Sequence, residues 1–265
     1  MMKYRFRSLG AYLLVFLVIT ASIHMLRPSF PLQFSSAEIQ RPIFTTNSRQ
    51  SGTDQSVVFI QPIFTQAAYG NNNPDHHGFY DYYFGRCGQK CLTVPIPKIF
   101  NGSYDTGAQS NNILLREHYS HITDIDVDKD PDILEGYGTV ILLHNEYVTQ
   151  REFDAITHHP HVIYLYPNSL FAEVKVDYDK NTITLVRGHW YPDKKIVNGF
   201  NWKYDNTKFE SDTACTYLHF YTIYNGEMLN CYPEYIIYFD PELLHAIKNF
   251  IYNYTASYSK TTAPS

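Results

Sequence analysis

Four side chains that can bind metal or transfer protons, His144-Asn145-Glu146-Tyr147, directly follow a short apolar run. That run, Thr139 to Leu143, is rich in apolar and β-branched residues, a pattern typical of a strand buried on both faces. Thr149 is a candidate N-cap for a following helix, with Glu152 as its capping-box partner. Ligands in open α/β sheets bind at the carboxyl ends of strands, so the sequence predicts a functional site at these four residues.

Several histidines and an aromatic turn are further candidates. His76 and His77 lie in a long Tyr-rich loop after Tyr69, where they can contact a metal or substrate or simply face solvent. Their spacing does not match the helical arrangement of two histidines in metalloproteases, which favours solvent. The turn Gly188-His189-Trp190-Tyr191-Pro192 can equally line a pocket or cap the core.

Two other polar clusters favour a surface position. We expect the histidines at 158, 159 and 161 to lie on the surface near the start of the next strand. Asp124, Asp126, Asp128 and Asp130 alternate like the opening of a calcium-binding loop, but the required glycine and terminal glutamate are missing. The sequence therefore predicts a solvated strand end there.

The elements that must position these residues alternate between strands and helices. They comprise a strand at 56–64, a long loop, a helix at 106–118, a strand at 122–127, a helical turn at 131–134, the central strand and its helix, and a strand at 161–166. This alternation predicts a doubly wound, mainly parallel sheet.

Antiparallel structure is predicted after this sheet. Residues 171–178 and 182–187 alternate in polarity around a turn, and residues 215–224 and 228–232 flank Asn225-Gly226, a strong hairpin signal. A last helix begins at Asp240-Pro241-Glu242, and residues 255–265 form a flexible tail. The predicted domain spans residues 56–254.

The amino terminus and the overall charge indicate compartment and partners. Lys3, Arg5 and Arg7 precede an apolar run from Leu9 to Leu26, which predicts either a retained single-pass signal anchor or a cleaved signal peptide at residues 1–26. Residues 27–55 read as a disordered linker. The rest of the chain would lie outside the cytoplasm. A net charge of -5 offers no basic surface, so nucleic acid is not an expected partner.

Four cysteines agree with an oxidising compartment. Their number allows three pairings, among which the local pairs Cys87–Cys91 and Cys215–Cys231 are favoured because each pair brackets a turn. A four-cysteine zinc site is the alternative, although the second pair is too widely spaced for it.

Three stretches together resemble the C-terminal domain of the N,N-dimethylformamidase large subunit: FIQPIFTQAAYGNNN, DIDVDKDPDILEGYGTVILLHNEYVTQREFDAI and HVIYLYPNSLF. The likeness covers residues 56–171. That family belongs to the class I glutamine amidotransferase-like, flavodoxin-like fold. The resemblance therefore implies a flavodoxin-like sheet here, with the predicted C-terminal β-hairpins as an extension.

The resemblance also implies an iron site built from two tyrosines and a glutamate, used to hydrolyse an amide. Tyr69 and Tyr147 match the family's tyrosines, Glu146 matches the motif glutamate, and His144 is also matched. The resemblance does not assign Glu146 as the metal-binding glutamate, so the third metal ligand has no identified match in this sequence. Asn145 stands where the family has Pro or Asp.

Phenolate and carboxylate oxygens are hard donors suited to trivalent iron, and such a site could polarise an amide carbonyl while Glu146 or His144 moves protons. We expect Asn145, Asn168 and His77 to contact the small-molecule substrate. In the alternative interpretation, Tyr147 packs under the sheet and Glu146 favours the helix that follows. The chain would then be a non-catalytic surface module that binds a sugar or peptide.

Glutaminase chemistry is excluded on the sequence, because the strand-to-helix turn contains no cysteine nucleophile. A serine nucleophile is not supported either, since the sequence has no Gly-x-Ser-x-Gly motif.

Overall fold

The computed structural model describes residues 54–70, 77–101, 108–202, 204, 215, 218–233 and 241–261. The chain divides into two compact units, residues 1–49 and 50–265, and the first unit lies outside the described residues. The predicted membrane segment at 1–26 and nearly all of the predicted linker lie outside them too. Within the described part of the chain, no helix is both long and apolar enough to cross a membrane.

The described residues form alternating strands and helices. In order these are β1 (Asp54–Gln61), α1 (Ile63–Tyr69), α2 (Phe79–Tyr83), β2 (Thr93–Pro95), α3 (Ala108–Arg116), β3 (Tyr119–Thr123), α4 (Asp124–Lys129), β4 (Thr139–Leu142), β5 (Tyr147–Val148), α5 (Gln150–His158), β6 (Val162–Tyr164), β7 (Ala172–Asp177), β8 (Thr182–Arg187), β9 (Phe220–Ile223), β10 (Gly226–Leu229) and α6 (Glu242–Thr261). Two 3₁₀ helices, Gly88–Leu92 and Pro131–Gly136, connect some of these elements.

The main sheet has the strand order β3-β1-β4-β6-β10-β9, and every neighbouring pair is parallel except β10 with β9. All four residues of β4 are buried, as expected for a central strand covered on both faces. The predicted α/β class is therefore confirmed, with parallel and antiparallel pairs mixed within the sheets.

A second sheet has the order β2-β8-β7-β5. Both predicted hairpins are present, because β7 pairs with β8 and β9 pairs with β10 in antiparallel fashion. The second hairpin is not a separate appendage, since β10 also pairs in parallel with β6 and so extends the main sheet.

Both predicted disulfides, Cys87–Cys91 and Cys215–Cys231, are present. They leave no free cysteine among the described residues, so the four-cysteine zinc alternative does not apply to this form of the chain. Disulfides fit an oxidising, extracellular environment. The second bridge joins the segment before β9 to the segment after β10.

Three local predictions differ from the structure. The predicted strand at 122–127 ends at Thr123, because the Thr123 hydroxyl accepts a hydrogen bond from the Asp126 amide while the Asp126 carboxylate accepts from the Thr123 amide. This capping box begins α4. The predicted strand at 56–64 ends at Gln61, and α1 begins at Ile63 and continues into the predicted loop, which also contains α2. Helix α6 continues to Thr261, through much of the predicted tail.

The surface prediction for two histidines is wrong. His159 and His161 are buried, whereas His158 is exposed. The His161 ring stacks on Tyr254 at 4.1 Å between centroids and its Nδ1 lies 2.8 Å from the Thr139 hydroxyl. Burial lowers the pKa of His161 to about 4, so this histidine is a neutral core residue at physiological pH.

The prediction of a solvated acidic strand end is wrong about the strand and about Asp124 and Asp128, whereas Asp126 and Asp130 are exposed as expected. Asp124 and Glu152 are fully buried, on α4 and α5 respectively, and Asp128 is buried beside them. One Asp124 oxygen accepts from the Phe64 amide at 2.7 Å and one Glu152 oxygen accepts from the Thr149 amide at 2.8 Å. Burial raises the pKa of both carboxyl groups well above the ordinary range, the charge of Asp128 raises both pKa values further, and the charge of Asp124 also raises the pKa of Glu152.

This acidic pair predicts a pH dependence of stability. A raised folded-state pKa means that the native chain holds protons that the unfolded chain releases, so stability falls as the pH rises above the ordinary carboxyl range. The substitution Glu152→Gln keeps an acceptor for the Thr149 amide and cannot ionise. Between about pH 4 and pH 7, we expect the free energy of unfolding to fall for both proteins. The decrease is expected to be about 1 kcal/mol smaller for this variant than for wild type.

Urea unfolding at several pH values measures this difference, with Glu135→Gln as the matched control because Glu135 is exposed. Parallel pH profiles for wild type and Glu152→Gln would contradict the prediction.

Candidate functional site

The candidate site lies at the point in the main sheet where the order of successive strands reverses. The chain leaves β1 toward β3 on one side and continues from β4 toward β6 on the other, so the carboxyl ends of β1 and β4 form a switch point. Ligand sites in open α/β sheets occur at this position. His144 to Tyr147, the segment predicted from sequence, follows β4 here and is buried throughout.

Helix α1 fixes the backbone of this segment. The Thr65 hydroxyl accepts hydrogen bonds from the amides of Glu146 at 3.0 Å and Tyr147 at 3.1 Å. Further along the segment, the Glu146 carbonyl accepts from the Phe171 and Ala172 amides, both at 2.9 Å. Glu146 is thereby held between the two sheets.

The Glu146 carboxylate is the centre of the site. It is fully buried, and it accepts hydrogen bonds from His189 Nε2 at 2.6 Å and from the Tyr69 hydroxyl at 2.8 Å. The Tyr80 hydroxyl lies 3.5 Å from its Oε1 and His144 Nε2 lies 3.5 Å from its Oε2. Two phenols and two imidazoles therefore surround one carboxylate.

Histidine contacts decide the charge of Glu146. Burial by itself raises the pKa of this carboxyl, but the hydrogen bond from His189 and the electrostatic interactions with His189 and His144 outweigh burial and lower its pKa overall. The group is therefore a carboxylate at neutral pH. A buried carboxylate with a perturbed pKa and this many polar neighbours is a candidate functional group.

Tyr69 and Tyr80 lie close together because the backbone segments that contain Gly70 and Gly78 cross in close contact. Gly70 and Gly78 lie so near each other that a Cβ on Gly78 would lie 2.4 Å from the Ala68 carbonyl oxygen, and a Cβ on Gly70 would lie 2.6 Å from the Gly78 nitrogen. This crossing places the tyrosine rings 4.9 Å apart and their hydroxyls 3.4 Å apart. Burial and the Glu146 charge raise the pKa of Tyr69 well above its ordinary value, so the phenol is protonated.

His189 reaches the site from the end of β8 on a strained turn. Its φ is 50° and that of Trp190 is 63°, both in the left-handed region that side chains with a Cβ rarely adopt. Such strain costs about 1–3 kcal/mol per residue and occurs mainly at functional sites. The His189 and Trp190 amides donate to the carbonyls of Val197 and Ile196, which hold the turn.

Tyr147 lies beside the carboxylate group. Its ring packs edge-on against Tyr69 at 6.4 Å and stacks with His189 at 5.4 Å. The Tyr147 hydroxyl lies 3.4 Å from that of Tyr83. Burial, and next the neighbouring Tyr83, raise the pKa of Tyr147 well above its ordinary value. Tyr80, which the sequence did not single out, is the second phenol within 3.5 Å of Glu146.

The three predicted substrate contacts occupy different positions. Asn145 and Asn168 are buried, and within the described structure both amide atoms of Asn145 and the Oδ1 of Asn168 lack a hydrogen-bond partner. Buried amides without partners are rare and are expected to bind water or a ligand. His77 is exposed and its Nδ1 lies 3.4 Å from an Asp81 oxygen.

Access to the carboxylate is restricted on most sides. His144 and His189 are buried with Glu146, whereas Tyr69 and Tyr80 are each partly exposed. An approaching ligand would therefore meet the two phenols first. A surface groove of about 670 Å³ lined by residues such as Arg151 and Asp154 includes none of the site residues.

The sequence contained a weak signal for each of the missed residues. The pattern Gly188-His189-Trp190 was recognised as able to line a pocket, but nothing local connected it to residue 146. Tyr80 is one of several tyrosines in the segment after Tyr69, and no spacing rule distinguishes it from Tyr82 or Tyr83.

Comparisons with known proteins give no assignment, because no protein-family model matches this sequence and no curated protein is a significant relative of it.

Proposed function

We propose that this domain is an extracytoplasmic metal-dependent hydrolase of a small amide or related bond. The observation that carries the proposal is the convergence of two phenols, from Tyr69 and Tyr80, on the buried Glu146 carboxylate. This donor set is the kind implied by the resemblance to the N,N-dimethylformamidase domain. Tyr80 would take the ligand position that the sequence assigned to Tyr147.

The strand order supports a flavodoxin-like assignment. Numbered by their order along the chain, the parallel strands β3-β1-β4-β6-β10 follow the pattern 2-1-3-4-5 of flavodoxin-like sheets. The proposed site lies at the switch point between the first and third of those strands, where such folds bind ligands.

The residues present fit a trivalent iron ion. Tyr69, Tyr80 and Glu146 offer three hard oxygen donors within hydrogen-bond distance of one another, and the carboxylate is already ionised. When bound there, iron would supply Lewis acidity toward an amide carbonyl and toward water. It would also favour loss of the phenolic protons, as metals do for other coordinating groups.

The chain's own residues then have separate roles. His189 orients Glu146 through its 2.6 Å hydrogen bond, while Tyr69 and Tyr80 define the side from which substrate enters. His144, whose Nε2 lies 3.5 Å from Glu146 Oε2, would accept a proton from water and deliver it to the leaving amine. Stacking on Tyr166 at 4.5 Å fixes the His144 ring for this transfer.

Asn145 and Asn168 would bind the polar groups of the substrate. Their amide atoms that lack partners in the structure can donate to a carbonyl oxygen or accept from an N–H group. The predicted segment at residues 1–26 would hold the domain at the outer face of a membrane, or release it if the segment is cleaved.

Metal content and colour test the proposal directly. Purified protein is expected to contain about one iron per chain, by analogy with ordinary mononuclear sites, and to show phenolate-to-iron charge-transfer absorption. The variant Tyr80→Phe is expected to weaken this absorption and lower the release of amine from small amides at least about tenfold. Tyr82→Phe is the matched control, because Tyr82 packs on Tyr83 and Tyr191 and has no described contact with Glu146.

A second candidate function is a non-catalytic module that binds a sugar or peptide at the same place. The hydrogen bonds that His189 and Tyr69 donate to the Glu146 carboxylate favour it, because they occupy oxygens that a metal would otherwise bind. Colourless protein without iron, together with a thermal shift on adding saccharides or peptides, would support this function over the hydrolase.

A further inference from the structure

Three potential ligands for a sulfur-binding metal lie on either side of α2, with His77 before the helix and Cys87 and Cys91 after it. A ring nitrogen of His77 and the sulfurs of Cys87 and Cys91 all lie within 4.8 Å of one another. In this structure the two sulfurs are joined as a disulfide. None of the three residues belongs to the carboxylate site around Glu146.

The backbone around these residues is held by more than the disulfide. The amides of Phe84, Gly85 and Arg86 donate to carbonyls within α2, at 2.9, 2.9 and 2.7 Å. Phe79 at one end of the segment and Leu92 at the other are both buried in the same hydrophobic cluster. Breaking the bond between the sulfurs would therefore leave both cysteines near their present positions.

His77 is oriented by a carboxylate. Its Nδ1 lies 3.4 Å from Asp81 Oδ2, and Asp81 is fixed in turn by the Gly78 amide at 3.2 Å and by Arg86 Nη1 at 3.1 Å. Metal-bound histidines commonly contact a carboxylate through the ring nitrogen that does not bind the metal. His77 is also exposed, with 52% of its side chain accessible, so an ion can reach it from solvent.

We propose that Cys87, Cys91 and His77 form a redox-controlled binding site for Zn²⁺. Two thiolates and one imidazole are a common ligand set for zinc, and they leave a fourth position for water. Zinc prefers these ligands over the phenols and carboxylate around Glu146, which suit harder ions. The disulfide seen here is the closed, metal-free state of the site.

Opening the site requires a reductant of the dithiol class. Two electrons and two protons from the dithiol cleave the sulfur–sulfur bond, which gives two protein thiols and one oxidised dithiol. Zinc binding then displaces the two thiol protons to solvent. A small disulfide would reverse the reaction: it takes two electrons from the two thiolates and two protons from solvent to become a dithiol, which restores the protein disulfide and releases the zinc ion.

Metal titration of the full chain in two redox states tests this proposal. The variant Cys215→Ser/Cys231→Ser removes the other disulfide, so that only the Cys87–Cys91 pair responds to reductant. After reduction with a dithiol and removal of the reductant without air, the chain is expected to bind one more zinc ion than the oxidised chain. Cobalt in place of zinc is expected to give thiolate-to-cobalt charge-transfer absorption in the reduced state alone.

Substitutions assign the ligands. His77→Ala is expected to weaken zinc binding by the reduced chain at least about 100-fold, and Asp81→Asn about tenfold. His245→Ala is the matched control, since His245 is an exposed histidine on α6. Because His77→Ala retains the disulfide, its fold can be verified in the oxidised state before reduction.

Three results would overturn the proposal: equal zinc binding by the oxidised and reduced chains, no effect of His77→Ala, or an unchanged cobalt spectrum after Cys87→Ser. Metal bound at the Glu146 cluster is present in both redox states. Subtracting the metal content of the oxidised chain from that of the reduced chain therefore removes its contribution. A failure of the iron hypothesis therefore leaves this test intact.

Discussion

The substitution Glu146→Gln is expected to abolish iron binding and amide hydrolysis while the protein still folds. Glutamine has nearly the same shape as glutamate but carries no charge. In the variant, its amide N–H group would face one of the donors that face a carboxylate oxygen in wild type. His189 and Tyr69 both donate to that carboxylate, so one of them loses its acceptor. A buried donor without an acceptor costs about 1–3 kcal/mol of stability.

Iron affinity is expected to fall at least about 100-fold, more than when a residue that only orients a metal ligand is changed. Metal analysis measures the affinity, amine release measures the hydrolysis, and urea unfolding of the metal-free protein measures the stability. Glu135→Gln is the matched control, because Glu135 is exposed. Full iron content in Glu146→Gln would place the metal elsewhere and remove the main support for the hydrolase.

The substitution Gly78→Ala is expected to damage both the fold and the site. A Cβ on Gly78 would lie 2.4 Å from the Ala68 carbonyl oxygen and 2.6 Å from the Tyr69 carbonyl carbon. These are backbone atoms that cannot rotate away, so the two backbone segments that cross at Gly70 and Gly78 must separate. Tyr69 lies on one side of the crossing and Tyr80 on the other, which means that their hydroxyls would also separate.

Overpacking of this kind typically costs about 1–3 kcal/mol. We also expect the phenolate-to-iron absorption to weaken, because Tyr69 and Tyr80 would no longer reach the same ion. Gly136→Ala is the matched control, since no atom lies within 4 Å of the corresponding Cβ. Urea unfolding and the absorption spectrum measure the two effects. Wild-type stability together with an unchanged spectrum would show that the crossing does not position the tyrosines.

Local sequence patterns predicted the part of the site that follows β4. The apolar run at 139–143 and the capping box of Thr149 with Glu152 involve only near neighbours, and the structure contains both. The same kind of signal was present at Thr123 and Asp126, but the alternating aspartates were interpreted as a strand end. The periodicity of charge was misleading there because Asp124 and Asp128 point into the core instead of into solvent.

The partners of Glu146 could not be predicted in this way. Tyr69 and Tyr80 are 77 and 66 residues away from it in sequence, and His189 is 43 residues away, in the turn after β8. The left-handed conformation of His189 is also uncommon for a residue with a Cβ, so no propensity favours it. The contacts exist because the second sheet packs against α1 and α2.

By itself, the sequence determined the α/β class, the central strand, both hairpins and the place of the polar segment at 144–147, and it favoured the two disulfides that the structure contains. These features depend on periodicity, capping and turns, which involve residues close together in the chain. Only the tertiary structure decided that two phenols and two imidazoles surround one buried carboxylate. That arrangement depends on how two sheets and a glycine crossing pack together, and the packing is set by contacts between residues that are distant in sequence.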